Sequence, residues 1–226
     1  MGIDITINST TLITLLKVRQ NYFDGLFNAV GHVYVYEPLI EQEILKRFDL
    51  NILRLFKYLG NRISVQKIDA EIVKKEWNVL NNELREQGLL SLIDTGCILT
   101  ARDTKTVLLT DDYAERLGAE RMGVTPVWTT AFMMGLHHKG FLNFDEFLKD
   151  AVENKCLWLS KKVVSQLQVL SDEAYINAML DIESGNNIED EIAEKLIACG
   201  LIKRHSGRIT LLCTDILKII KELKGK

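Results

Sequence analysis

Short apolar runs alternate with helical patterns over most of the chain. The run Thr106-Val107-Leu108-Leu109 is almost entirely apolar, as expected of a parallel strand that is buried on both faces. The isoleucines Ile3, Ile5 and Ile7 and the segment Val33-Tyr34-Val35-Tyr36 have the β-branched character of strands, and each is followed by apolar residues at helical spacing. Repeated strand–helix units are best satisfied by a mainly parallel sheet with helices on both faces. The sequence therefore predicts an α/β fold.

Other segments extend this pattern. A short strand is predicted at 124–128, and an extended piece is indicated at 63–66 within the otherwise helical stretch 50–87. Pro38 precedes an amphipathic helix that carries Glu41 and Glu43. Further helices are predicted over 94–101, 113–122 and 132–137.

Composition excludes several classes of protein. Hydrophobic residues make up 47% and charged residues 26% of the 226 residues, which argues against a disordered chain. The formal charge is −3, so no global positive field indicates binding to nucleic acid. Apolar stretches such as Leu12–Leu16 fall far short of the roughly 18 residues that a membrane helix requires. No signal peptide is recognisable at the N-terminus, and we expect a cytoplasmic protein without a membrane partner.

Polar side chains follow two of the predicted strands at the point where each strand ends. Asn8 follows the first strand, and Asp111 and Asp112 follow the fourth. The carboxyl ends of parallel strands meet at one edge of a sheet, where the chemistry of such folds is found. Asp94 opens a helix packed beside that edge, and Glu43 projects from the helix after the second strand. Clustered carboxylates imply raised pKa values or a divalent cation, and hard oxygen ligands favour Mg²⁺ or Mn²⁺.

Four segments carry a resemblance to a known family: INSTTLITLL, PLIEQEIL, LIDTGCILTA and LLTDDYAERLGAERMGVTPVWTT. In this order they resemble the blocks of the PIN domain, a compact α/β nuclease fold that includes the VapC-type toxins. The segment GLHHKGFLNFDEFLKDAVENKCLWLS is similar to the tail of a prokaryotic branch of PIN-like proteins. The resemblance covers about residues 1–170 and implies a three-layer PIN-like domain.

The resemblance also implies a chemistry. Family members hold one or two divalent metals with three or four acidic residues and cut RNA with metal-activated water. Matched position by position, Asn8 stands at the first acidic position, Glu43 at the second, Asp94 at the third and Asp112 at the fourth. Asp111 is a neighbouring candidate metal ligand, and the hydroxyl groups of Ser9 and Thr110 are expected to add contacts. RNA is then the expected substrate, and an antitoxin, another protein or a second copy of the chain is a conceivable partner.

Asn8 departs from the family pattern. Its amide oxygen can bind a cation but brings no charge, which leaves three carboxylates at the site. Asp4 lies about 13 Å back along the strand and does not replace the missing acid. Two hypotheses follow: an endoribonuclease that depends on Mg²⁺ or Mn²⁺ and is weakened by Asn8, or a scaffold without catalysis that binds RNA or protein.

Each candidate residue also has an ordinary structural interpretation. Glu43 could be a solvated residue on a helix. Asp94 could cap its helix, and the pair Asp111-Asp112 could cap the helix that follows the strand. Adjacent His137 and His138 point about 100° apart on a helix, so we interpret them as cations at a helix end rather than as a metal pair.

The final segment, 171–226, has the pattern of a small α+β winged-helix domain. Two helices are predicted at 175–182 and 188–198, followed by a β-hairpin and a closing helix over 213–223. The hairpin carries a basic patch that could contact nucleic acid, formed by Lys203, Arg204, His205 and Arg208. The second helix carries four acids that a duplex would repel, namely Glu189, Asp190, Glu191 and Glu194. We therefore favour protein contact or packing, and keep a DNA-binding regulator as the third hypothesis.

Overall fold

The computed structural model describes residues 2–18, 20–48, 62–84, 89–155, 157, 159–205, 208–211 and 217. The chain divides into two compact units, Met1–Phe132 and Met133–Lys226. The division falls within a helix that runs from Thr129 to His138. The boundary that the sequence predicts, between domains 1–170 and 171–226, stays a prediction.

The first unit is built on a sheet of five strands that are all parallel. The strands are β1 Ile3–Ile7, β2 Val30–Tyr36, β3 Ile63–Gln66, β4 Val107–Leu109 and β5 Pro126–Val127. Their order across the sheet is β3-β2-β1-β4-β5. The extended piece predicted at Ile63–Gln66 is thus the edge strand β3, paired with β2.

Helices flank the sheet. They are α1 Ser9–Lys17, α2 Gln20–Ala29, α3 Glu37–Leu39, α4 Leu45–Phe48, α5 Ala70–Leu84, α6 Leu92–Thr104, α7 Tyr113–Arg121 and α8 Thr129–His138. In β1 the consecutive residues Ile5, Thr6 and Ile7 are all buried. Successive strand side chains point to opposite faces, so both faces of the sheet must be covered. The predicted α/β class is confirmed, and the arrangement is consistent with a three-layer fold.

One segment departs from the predicted regular helix. Ile40–Ile44, here called π1, forms a π-helical turn between α3 and α4. The Leu45 N–H donates to the Ile40 carbonyl, five residues back. Such turns are uncommon and are found most often at functional sites. Glu43 lies within π1.

The strand order places a crevice between β1 and β4. From β1 the chain proceeds to β2 and β3 on one side, whereas β4 is followed by β5 on the other side. Ile7 pairs with Leu109, and the Asn8 N–H donates to the Leu109 carbonyl over 3.1 Å. Asn8 and Thr110 therefore lie side by side beyond the carboxyl ends of the two strands, where the order of the strands across the sheet reverses and ligands bind in open parallel sheets.

The second unit contains helices and a hairpin. Beyond α8 they are α9 Phe144–Glu153, α10 Lys161–Ser171, α11 Glu173–Glu183, α12 Asp190–Ala198, β6 Ile202–His205 and β7 Arg208–Leu211. The strands β6 and β7 are antiparallel, so the two predicted helices and the hairpin are confirmed. The predicted helix 213–223 lies outside the described residues except for Leu217, and the winged-helix arrangement stays a prediction. Among the described residues, no helix combines the length and apolar character needed to cross a membrane.

Candidate active site

Asn8 directly follows β1 at the strand-end crevice and is almost fully buried. Its side-chain oxygen accepts from the Thr11 N–H and from the Thr10 hydroxyl, at 2.9 and 2.8 Å, so Asn8 caps the N-terminus of α1. Its Nδ2 group donates to the Thr110 hydroxyl over 2.8 Å and to the Glu115 carboxyl over 2.6 Å. The amide thus uses both ends for contacts within the protein.

Glu115 is the residue of this site that the sequence did not indicate. It belongs to the first turn of α7, is fully buried and is held through Oε2, which accepts from Asn8 and from the Thr110 hydroxyl. Burial raises the pKa of Glu115 well above its ordinary value, and the charges of Asp94 and Asp112 raise it further, against the hydrogen bonds from Thr110 and Asn8. Oε1 has no hydrogen-bond partner among the described residues. A buried oxygen without a hydrogen-bond partner lowers the stability of the folded state unless a ligand binds to it.

Asp112 stands at the mouth of the same crevice and is exposed. Its Oδ1 accepts from the Glu115 N–H over 2.9 Å, so Asp112 caps α7, as its ordinary interpretation predicted. The Asp112 N–H in turn donates to the Thr110 hydroxyl over 3.1 Å. Capping and membership of the site are therefore compatible.

Asp94, like Asp112, both caps a helix and belongs to the candidate site. It forms a capping box with Ser91 at the start of α6: the Asp94 N–H donates to the Ser91 hydroxyl and the Ser91 N–H donates to Asp94 Oδ2. Burial raises the pKa of Asp94, the Ser91 hydrogen bonds lower it, and the charges of Asp112 and Glu43 raise it. Asp94 therefore lies within the electrostatic influence of both residues.

The thiol of Cys97 is influenced by three of these acids. Cys97 is fully buried on α6, one turn after Asp94. Burial raises its pKa well above the ordinary value, and the nearby charges of Glu115, Asp94 and Glu43 raise it further. Four carboxyl groups from three segments, namely π1, the start of α6 and the start of α7, therefore influence one another electrostatically at this edge of the sheet. We call them the carboxylate cluster: Glu43, Asp94, Asp112 and Glu115.

Asp111 has a different environment. Its Oδ1 accepts from the Thr129 N–H over 2.9 Å, at the start of α8. Burial raises the pKa of Asp111, while the Thr129 hydrogen bonds and the charge of Arg116 lower it. The Arg116 guanidinium lies 4.2 Å from the centre of the Trp128 ring. Asp111 thus contacts a helix start and lies within the electrostatic influence of Arg116, and its pKa receives no contribution from the carboxylate cluster.

The donor chemistry of the carboxylate cluster fits Mg²⁺ or Mn²⁺, since it offers hard oxygens and one buried carboxyl oxygen without a partner. The arrangement is not closed around an ion. In the part of the chain that the structure describes, no three His, Cys, Asp or Glu side chains are positioned to hold a metal together. Binding would therefore require side chains at the crevice mouth to turn inward.

The remaining predicted residues lie elsewhere. The ring nitrogens of His137 face the carbonyl oxygens of Leu142 and Ser171, at 3.2 and 3.0 Å. In the hairpin, Lys203 is exposed and Arg204 forms an ion pair with Asp190 at 3.1 Å. The side chain of Arg208 lies outside the described part of the chain. Ser9 is buried in the first turn of α1.

A signal for Glu115 did exist in the sequence. Asp112 and Glu115 have the spacing of a capping box, in which the glutamate would reach back to the N–H of the capping residue. The Glu115 side chain instead points inward to Asn8 and Thr110. Comparison with protein-family models and with curated proteins finds no match for this chain.

Proposed function

We propose that the chain hydrolyses RNA phosphodiester bonds with the help of Mg²⁺ or Mn²⁺, at the crevice between β1 and β4. The observation that supports this most is the carboxylate cluster, in which four acids from three segments influence one another and one of them, Glu115, has a buried oxygen that lacks a partner. Like charges are costly to bring together, and a doubly charged ion offsets that cost. The resemblance of the segments to PIN nucleases supports the same reaction.

Each residue has a distinct part in this proposal. Glu43, Asp94 and Asp112 would hold the cation together with the free oxygen of Glu115. Thr110 and Asn8 fix the Glu115 carboxyl through its other oxygen. When bound, the cation supplies positive charge that stabilises the phosphodiester transition state and generates a nucleophile from water. Asp112, being exposed, is the member of the cluster that faces incoming substrate.

The first prediction concerns Asp112. The chain should cleave single-stranded or structured RNA in Mn²⁺ or Mg²⁺, and Asp112→Asn should slow cleavage by about 100-fold, because a carboxylate that would hold the cation is lost. The control is Asp103→Asn, which removes an exposed acid whose partner is the neighbouring Arg102. Equal cleavage by Asp112→Asn and by the unmutated chain would reject the proposed reaction.

One observation favours a second candidate, a scaffold without catalysis that binds RNA or protein. Asn8 brings no charge, its oxygen already accepts two hydrogen bonds, and its Nδ2 group already donates to Glu115. These hydrogen bonds give the Asn8 side chain and Glu115 Oε2 their polar partners without a cation. The scaffold would bind Mn²⁺ poorly and cleave nothing, so tight Mn²⁺ binding by the unmutated chain counts against it.

A further inference from the structure

A close approach between α6 and β2 occurs next to the carboxylate cluster. Gly96 lies in the fully buried stretch of α6, two residues after Asp94. A methyl group built at Gly96 would overlap the ring of Tyr36 at Cδ1, Cε1 and Cζ. Tyr36 is itself buried at the carboxyl end of β2, so its ring has little room to move away. The helix therefore lies directly on the ring because residue 96 has no side chain.

This contact joins the two segments that carry neighbouring acids. On one side, α6 begins with the capping box that fixes Asp94. On the other, Tyr36 leads straight into α3 and π1, which carries Glu43. The charge of Glu43 acts on Asp94, and the separation between the two segments determines whether both acids reach one ion. A wider spacing at Gly96 would move them apart.

We propose that Gly96 is a positioning residue for the carboxylate cluster: by letting α6 rest on the Tyr36 ring, it holds Asp94 and Glu43 close enough to share a divalent cation. This inference rests on the proposed function, since it assumes that the carboxylate cluster binds such an ion. It assigns no contact with substrate to Gly96 or to Tyr36.

The test measures Mn²⁺ binding by the full chain, using electron paramagnetic resonance of free Mn²⁺ well below the melting temperature. Gly96→Ala should weaken Mn²⁺ binding about tenfold, the scale seen when groups that orient metal ligands are lost. Replacing the ring as well, in Gly96→Ala with Tyr36→Leu, should restore the affinity to within about twofold because the overlap is removed. The matched control is Gly118→Ala, whose methyl group would meet only the movable side-chain ends of Leu90 and Ile98, at 2.8 and 3.1 Å. It should leave Mn²⁺ affinity unchanged.

The outcomes separate the two proposals. Wild-type Mn²⁺ affinity in Gly96→Ala, or no recovery in the double variant, overturns the positioning role whether or not RNA is cleaved. If Gly96→Ala does not fold, the double variant decides alone: recovered affinity supports the role, and weak binding or failure to fold overturns it. Mn²⁺ binding that responds to Gly96 without any RNA cleavage rejects the proposed reaction and leaves the positioning role intact. Absence of Mn²⁺ binding by the unmutated chain overturns both.

Discussion

At the scale of single residues, the pairing of Asn8 with Glu115 defines the crevice. The Asn8 Nδ2 group donates to Glu115 Oε2 over 2.6 Å, and both side chains are buried. An amide donor and a carboxyl acceptor are complementary in such a setting. An aspartate at position 8 would instead face Glu115 with a second acid. Buried carboxyl groups at that distance cannot both ionise without a cation between them. The identity of residue 8 therefore determines how much a bound cation would stabilise the site.

The second prediction tests this pairing. Asn8→Asp should lower the free energy of unfolding by about 2–4 kcal/mol in EDTA at about pH 7.5, because a neutral hydrogen-bond donor is replaced by a second buried acid whose ionisation beside Glu115 is costly. Mn²⁺ should recover most of the loss, as measured by urea unfolding with and without the ion. The control Asn8→Ser keeps the capping function at α1 and adds no charge, so Mn²⁺ should not improve its stability beyond that of the unmutated chain. An Asn8→Asp variant that is equally stable in EDTA contradicts the pairing argument.

The third prediction concerns pH and Glu115. In the unfolded chain this carboxyl loses its proton near the ordinary pKa of 4.5, whereas burial keeps it protonated to higher pH in the folded chain. The folded state then binds more protons than the unfolded state, so Glu115 makes stability fall as pH rises from about 4.5 towards its raised pKa.

Glu115→Gln should remove this loss. We expect it to raise the unfolding free energy in EDTA by about 1–3 kcal/mol at about pH 7.5, with little change at about pH 4. Urea unfolding at the two pH values measures the difference. The same variant should bind Mn²⁺ more weakly, so greater stability and loss of the site are expected together. A gain in stability that does not depend on pH would show that the Glu115 charge is not its cause.

At the scale of elements, helix starts supply much of the carboxylate cluster. Asp94 sits in the first turn of α6, Asp112 caps α7, and Glu115 follows one turn later. Exposed N–H groups at a helix start attract carboxylates, which offsets part of the repulsion among them. Glu43 is the exception, because it projects from a π turn.

The fourth prediction compares two helix caps. Ser91→Ala and Ser160→Ala each remove a side-chain acceptor at a helix start, from α6 and from α10, and each should cost about 1 kcal/mol of unfolding free energy. Only Ser91→Ala should also weaken Mn²⁺ binding, because it loosens the turn that fixes Asp94. Urea unfolding and Mn²⁺ titration check the two parts. Equal Mn²⁺ affinity in both variants would mean that the capping box does not position Asp94.

At the scale of the whole molecule, charge limits how RNA could be bound. The formal charge of −3 gives no general attraction for a polyanion. In the hairpin of the second unit, Arg204 is already engaged with Asp190. The proposed reaction therefore depends on a divalent cation at the carboxylate cluster to attract phosphate. The nucleic-acid role predicted for Lys203, Arg204 and Arg208 remains a prediction.

The sequence by itself determined the class of the fold and the edge of the sheet at which polar residues meet. Alternation of short apolar runs with helical patterns is a local signal, and it was sufficient for β1, β2 and β4. The rule that parallel strands present their carboxyl ends at one edge predicted Asn8 and Asp112 at the same edge, and both residues donate to the Thr110 hydroxyl.

Only the tertiary structure decided which acids are buried and how they are held. The inward turn of Glu115, the π turn that carries Glu43 and the contact of Gly96 with Tyr36 depend on residues that are distant in sequence. Asp111 and Asp112 are adjacent in the chain, yet Arg116 acts on Asp111 whereas Asp112 belongs to the carboxylate cluster. Burial and charge environment are properties of packed neighbours, and no local pattern encodes them.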